Sequence, residues 1–305
     1  MFAIGRIARR LRVDAILSSH LGFIRHCALI RTFTGVPACF HLGLPHTGAS
    51  ITLRMANGRV GAGVAPSAHT AATWSLAGWP RDTLHQVPNW IDPARFRPAA
   101  DPMALRSELG IPTDGPCVVF VGRVCEQKGV DVLIQAFSGV AAAINNATLV
   151  IVGPVDPNYR ARMQESLGNL DEQTRGRVIH LPPTSTPERY YAAADVACSP
   201  SLRDESFGLT VLEAMACGVP VVTTDVGIIP EILGGGAAAL LVPAGSVEKL
   251  TEMLVYWLQQ SSGPGALGER LRERVLTCYG PAPSVDQYEN ILSELASLRA
   301  LVREE

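Results

Sequence analysis

Short runs of consecutive apolar residues alternate along this chain with longer stretches in which apolar positions recur every three or four. In the second part the runs are Cys117–Val121, Thr148–Val152, Val178–Leu181, Val196–Ser199, Pro220–Thr224 and Ala238–Val242. An unbroken apolar run of this length, rich in β-branched residues, is what a strand covered on both faces requires. The first part carries four shorter examples, Val13–Ser18, Val36–His41, Gly61–Pro66 and Thr83–Pro88. The helical stretches Val130–Ala143, Asn158–Gly168, Pro187–Ala194, Leu209–Cys217 and Val247–Gln259 lie between the later runs. Such alternation predicts an α/β protein built on parallel sheets. Six strands with their helices are enough for a complete doubly wound domain. The segment 92–116, rich in Pro and polar residues, reads as a linker, and Val285–Glu305 as an amphipathic helix.

Composition narrows the classes. At 305 residues, 47% hydrophobic and 18% charged, the chain fits a globular protein of two domains or one large one. No apolar run is long enough to span a bilayer, and the arginine-bearing N-terminus lacks the apolar core of a signal peptide. The seven cysteines are scattered without a Cys-x-x-Cys pair, so neither a zinc site nor a disulfide framework is indicated. Idle thiols in a reducing cytoplasm are the expectation.

Charge is unevenly spread. Residues 1–112 carry a net +7, all of it from arginine, and the remainder carries −9. A basic first part points to an anionic partner, either a phospholipid surface or a phosphorylated acceptor, with peripheral membrane association as one consequence. Its densest cluster, Arg6, Arg9, Arg10 and Arg12, is equally compatible with the solvated face of a helix. Nothing points to nucleic acid. Only two of the 26 basic residues are lysines, Lys128 and Lys249. A compact ammonium can approach a phosphate where a guanidinium fork does not fit.

The chemistry concentrates in Glu205-Ser-Phe-Gly-Leu-Thr-Val-Leu-Glu213. Gly208 sits where a loop enters a helix, whose first N–H groups favour an anion. Carboxylates on either side can accept hydrogen bonds from neutral hydroxyls. An anion cradle between two hydroxyl-reading carboxylates suits a sugar attached to a diphosphate. Two further blocks are Gly122-Arg123-Val-Cys-Glu-Gln-Lys128-Gly129 and Pro88-Asn89-Trp90-Ile91-Asp92. Taken in order, these motifs resemble those of the retaining GT-B glycosyltransferases of the family 4 type, with Trp90 in place of a usual Gly. The resemblance covers the chain from about residue 60 onward.

That resemblance implies a GT-B fold of two Rossmann-like doubly wound domains. Residues 1–110 would form an incomplete acceptor-side domain and 111–280 the nucleotide-sugar domain, with 281–305 a helix crossing back onto the first. It implies transfer of a sugar from a nucleotide-diphosphate sugar to a glycan or lipid acceptor, with retention of configuration, without a metal and without a cofactor. Arg123, Lys128 and the Phe207-Gly208 turn would bind the donor diphosphate. Glu213 would take the ribose hydroxyls, and Glu205 hydroxyls of the donor sugar. His41 would stand in an interdomain cleft, orienting the sugar or the acceptor hydroxyl, with His20 and His46 as nearby rivals. Asn89 and Gly227 would line that cleft. Ile228, where many relatives carry Gly, would narrow the donor site or sit on its rim. The nucleotide, the sugar and the acceptor stay open.

The chain also departs from that pattern. By that resemblance two to three βα units would be missing at its start, on the order of 60 residues at ~30 per unit. A start assigned too late is the favoured explanation, against a true truncation or a split enzyme. A donor-binding module that needs a partner is therefore the rival reading, and a sugar-nucleotide epimerase of similar shape a weaker third. Gly263-Pro-Gly265-Ala-Leu-Gly268 spells a dinucleotide fingerprint, but no strand precedes it, so it reads as a loop between helices.

Overall fold

The structure, a computed structural model, describes residues 2–44, 46, 60–203, 205–234, 240–260 and 265–304. Contacts divide the chain into two units, residues 1–90 with 281–305, and residues 91–280.

The first unit holds a four-stranded parallel sheet ordered β1-β2-β3-β4: Ile16–Ser18, Ala38–His41, Gly61–Ala65 and Leu84–Gln86. Successive residues of a strand face opposite ways. Phe40 therefore joins Trp74 and Trp79 on one face, while Cys39 joins Ala62, Val64, Ile291 and Leu295 on the other. The second set brings the helix Pro281–Glu304 onto this sheet, where Arg299 pairs with Asp14 at 2.9 Å and also donates to the Val13 carbonyl. β1 starts three residues later than its apolar run because Val13 packs with Ala8 and Ile30, ahead of the sheet. Among the described residues this unit also holds the helices Phe2–Arg10, Ile24–Thr34 and Ala68–Leu76. The last is capped by the Ser67 hydroxyl, which accepts from the Thr70 N–H.

The second unit is a six-stranded parallel sheet: β5 Cys117–Val121, β6 Thr148–Val152, β7 Val178–Leu181, β8 Val196–Ser199, β9 Val221–Thr224 and β10 Leu241–Val242. The first four have the expected bounds. Part of the expected Ala238–Val242 run lies outside the described residues. The order is β10-β9-β8-β5-β6-β7, the doubly wound arrangement, which reverses direction between β5 and β8. Both faces are covered, one by Val118, Phe120, Leu149 and Ile151 with Leu133 and Phe137, the other by Val119 and Val150 with Leu212 and Met215.

The expected linker 92–116 is instead part of this second unit. Ile91, Phe96 and Ile111 are buried in its core. Within the segment, Asp101 caps a helix Pro102–Leu109 by accepting from the Met103 and Ala104 N–H groups, with Pro at its first position and Gly110 in the left-handed conformation after it. Asp-Pro before and Gly after is a helix signature that the Pro-rich composition masks. Arg106 of this helix exposes 3% of its side chain. It donates to the Ala193 and Gly115 carbonyls and to Asp195 at 2.6, 3.2 and 2.7 Å. The same Asp195 oxygen accepts from the Cys117 N–H at 2.6 Å. One guanidinium thus fastens the helix to the starts of β5 and β8. All seven cysteines are free thiols, six of them buried. Of the fingerprint-like segment, Gly263 and Pro264 lie outside the described residues, and Gly265 begins the helix Gly265–Cys278.

Replacing Arg106 by Met leaves the Ala193 and Gly115 carbonyls without this donor and Asp195 with only the Cys117 N–H. Arg106→Met is expected to lose about 2–3 kcal/mol of stability in urea unfolding. A loss below about 0.5 kcal/mol would show that the helix is not held this way.

Candidate functional site

Ligands of doubly wound sheets bind beyond the carboxyl ends of the strands, where the order reverses. Here that point lies between β5 and β8, and the loops after these two strands carry the predicted motifs. Lys128 ends a single 3₁₀ turn, Glu126–Lys128, after β5. The next residue, Gly129, has φ +62°, and a Cβ there would stand 2.2 Å from the Pro200 carbonyl oxygen. The two loops therefore touch backbone to backbone, and only glycine fits. The Leu202 N–H donates across the same contact to the Gln127 carbonyl at 2.8 Å.

This approach brings Lys128 to Glu205. The Lys128 Nζ lies 2.5 Å from the Glu205 Oε2, and each side chain is only 14% exposed. The Ser201 hydroxyl, in a residue 2% exposed, donates to the same carboxylate oxygen at 3.3 Å. The Glu205 backbone is held from below. Gly227 has φ +56°, and a Cβ there would be 2.3 Å from the Glu205 carbonyl oxygen. The Ile228 N–H donates to that oxygen at 3.2 Å. The Ile228 side chain is 2% exposed and packs into the core, so it neither narrows a donor site nor forms its rim.

Gly208, left-handed, opens the helix Leu209–Ala216. The Leu209 and Thr210 N–H groups at its start make no backbone hydrogen bond among the described residues, and such free N–H groups favour an anion. Phe207 offers a ligand only its backbone, since its ring is buried edge-on against Tyr279 at 6.0 Å. Arg123 is exposed on the loop after β5 and makes no hydrogen bond or ion pair among the described residues. It is a cation available to an incoming anion.

Glu213 lies just over one turn into the same helix, and burial pushes its carboxyl up to about 7, with the Tyr191 hydroxyl and Arg95 opposing the rise and Glu188 adding to it. The Tyr191 hydroxyl is sealed from solvent beside Glu213, yet it closes no hydrogen bond of ordinary length. Arg95 is itself engaged with Glu188 at 2.9 Å and with the Ser185 carbonyl at 2.6 Å. Glu213 is thus a carboxyl at the edge of ionisation with the Tyr191 hydroxyl beside it, and its two oxygens could accept from a vicinal diol.

In the first unit, His41 ends β2. Its Nδ1 shares a 2.8 Å hydrogen bond with the Tyr288 hydroxyl, and burial lowers its basicity. Of its rivals, His20 accepts from the Gly22 N–H within a turn, and His46 packs edge-on against Trp74 at 4.6 Å. Asn89 is partly buried in this unit. The structure thus gathers Arg123, Lys128, Glu205, Phe207, Gly208, Glu213 and Gly227 around one end of the second sheet, with His41 and Asn89 in the other unit. Ser201, Tyr191 and Tyr288 were not anticipated. For Ser201 the signal was its place in Ser199-Pro-Ser201, directly before Glu205. The two tyrosines have none in the sequence.

Residues 103–274, more than half of the chain, match the family model described as glycosyl transferases group 1. Among curated proteins, the chain is 35% identical over 184 residues to a D-inositol 3-phosphate glycosyltransferase of Mycobacterium leprae, covering 58% of this chain and 40% of that protein. It is 32% identical over 193 residues to a phosphatidyl-myo-inositol mannosyltransferase of the same organism, covering 62% and 48%. It spans about half the length of such relatives or less. Among solved structures, HepE of Anabaena in complex with UDP and glucose superposes with a TM-score of 0.84 at 19% identity, covering 96% of this chain and 80% of that one. A sucrose-phosphate synthase of Thermosynechococcus elongatus gives 0.77 at 22% identity, covering 99% and 77%. These likenesses show the GT-B glycosyltransferase fold.

The elevated Glu213 carboxyl has a consequence for stability. The folded value, about 7, stands above the ordinary 4.5, so the folded chain holds the proton more tightly than the unfolded one. The stability this provides is complete below pH 4.5 and is lost as pH rises to 7. Glu213→Gln is expected to raise the thermal midpoint at pH 8, by up to about 3 kcal/mol in free energy, and to change it little at pH 4.5. Equal midpoints at pH 8 would refute the assignment.

Proposed function

The chain belongs to the group 1 glycosyl transferases, and we propose that it moves a sugar from a nucleotide-diphosphate sugar to an acceptor hydroxyl with retention of configuration. One observation carries this reading above the rest. Lys128, Glu205 and the open end of the helix Leu209–Ala216 converge at the strand-order reversal of the second sheet. In this reading Arg123, Lys128 and the Gly208 N-terminus bind the diphosphate and stabilise its charge as it departs. Glu213 accepts two hydrogen bonds from the ribose diol, and Glu205 holds hydroxyls of the sugar. His41 orients the sugar or the acceptor hydroxyl. The bond from the anomeric carbon to the diphosphate oxygen breaks, the acceptor oxygen attacks from the same face, and its proton passes to the departing phosphate. Fixed cations and helix N–H groups supply the positive charge, and neither a metal nor a cofactor is part of the scheme.

The acceptor we propose is an anionic inositol phosphate or phosphoinositide-type lipid. The relatives named for such acceptors support it, as does the net +7 of residues 1–112. A second observation extends this to the membrane surface. Arg6 and Arg9 line a groove of 310 Å³ with Leu29, Ile30 and Phe33. Around it Ile7, Leu11 and Phe33 are 53%, 66% and 67% exposed. Within residues 1–40 the only acidic residue is Asp14, which is paired to Arg299. An apolar surface set among arginines complements an anionic bilayer, where each cation near the surface contributes about 1 kcal/mol. Among the described residues no helix is long and apolar enough to cross a membrane.

Two measurements follow. Lys128→Ala and Glu213→Ala are each expected to abolish transfer from UDP- or GDP-sugars, roughly a hundredfold or more, with circular dichroism unchanged. Full turnover by both variants would sink the site assignment. In sedimentation with vesicles, the chain is expected to bind phosphatidylglycerol-containing membranes and not pure phosphatidylcholine ones. Arg6→Glu with Arg9→Glu should reverse this, and undiminished binding by that double variant would remove the surface from the account.

A further inference from the structure

The ion pair at the centre of the site raises a question of exchange. Lys128 and Glu205 are assigned to different parts of one donor, yet here each holds the other at 2.5 Å with little exposure to water. A buried charge that loses its partner is costly unless another takes over. An intact nucleotide sugar offers two replacements at once: its diphosphate for the Lys128 ammonium, and its sugar hydroxyls for the Glu205 carboxylate. A nucleoside diphosphate offers only the first. It would draw Lys128 away and leave Glu205 with one side-chain donor among the described residues, the Ser201 hydroxyl, which already reaches the same Oε2 at 3.3 Å.

We propose that the Lys128–Glu205 pair is a latch that makes the site discriminate against the nucleoside diphosphate product, and that Ser201 is the positioning residue that keeps Glu205 in place once Lys128 has left it. The inference rests on the donor site proposed above. The surroundings suit the role. The Glu205 backbone cannot withdraw, because Gly227 lies directly beneath it and the Ile228 N–H binds its carbonyl. Lys128 is fixed at its base by the contact of Gly129 with Pro200. Ser201 is itself immobilised, its carbonyl accepting from the buried Thr224 hydroxyl at 2.6 Å. With both backbones held, only the long side chains can move, and the exchange is confined to one ammonium and one carboxylate. The latch therefore costs little when the donor enters and favours departure of the product once the sugar is gone.

The test is calorimetric titration of the full chain with UDP, UDP-glucose, GDP and GDP-mannose. Wild type is expected to bind the matching sugar nucleotide about tenfold or more tighter than its diphosphate. Glu205→Gln removes the charge that the diphosphate strands. It should therefore bind the diphosphate more tightly than wild type, about tenfold, and bring the two affinities close together. Ser201→Ala should weaken the diphosphate more than the sugar nucleotide, widening the ratio. A purely structural role for Ser201 would weaken both equally. If the diphosphate binds wild type and Glu205→Gln alike, the latch is overturned while the donor site stands. If none of the four probes binds wild type, the donor site fails, and the latch with it.

Discussion

Everything in the second unit's site depends on how closely two loops approach. The chain segments leaving β5 and β8 meet at backbone distance because Gly129 has no side chain to hold them apart from Pro200. Gly227 repeats the arrangement one strand further along, under Glu205. Such contacts leave little freedom to the residues beside them. Lys128 and Glu205 extend from a rigid seam, so the geometry of a charged pair is set by steric exclusion between main chains. Electrostatics then acts on positions already decided. This is the ordering a binding site needs if its polar groups are to be aimed before a ligand arrives.

The chain uses its cations in two distinct ways. Arg106 and Arg272 are spent on the protein itself, donating to main-chain carbonyls where helices end and segments cross. A guanidinium with five donors in a fixed fork can satisfy several such oxygens at once. Arg123 makes no internal contact among the described residues, and Lys128 has Glu205 as its partner. Two planar, multidentate cations thus build the scaffold, while a compact ammonium faces the Glu205 carboxylate.

Much of this was legible in the sequence, and the limits have physical causes. β5 to β8 and the helix Val130–Ala143 could be read to the residue, since a strand buried on both faces needs an unbroken apolar run and a covered helix a regular stripe. The motif residues from Arg123 to Glu213 were found together because one sheet reversal collects the loops that carry them. The linker reading of 92–116 failed because composition was weighed above order, and Asp101-Pro102 followed by Gly110 already spells a capped helix. Ile228, expected from the resemblance to narrow the donor site or sit on its rim, is instead buried in the core. Tyr191 beside Glu213 and Tyr288 beside His41 were out of reach, the second because 247 residues separate the partners along the chain. Such pairings belong to the tertiary fold alone.

Arg272 gives the helix Leu209–Ala216 a mechanical character. Its guanidinium donates to the Ala216 carbonyl at the end of that helix and, in the same fork, to the carbonyls of Phe96 and Pro93. At the opposite end of the helix is Gly208, and Glu213 lies between. A rod of eight residues pinned at its tail does not bend over so short a length. Val211, Leu212 and Met215 seat it in the core along its length, and Arg272 ties its tail to the 93–96 segment, so the carboxylate of Glu213 and the N–H groups at the tip are carried on one short element anchored far from them in sequence.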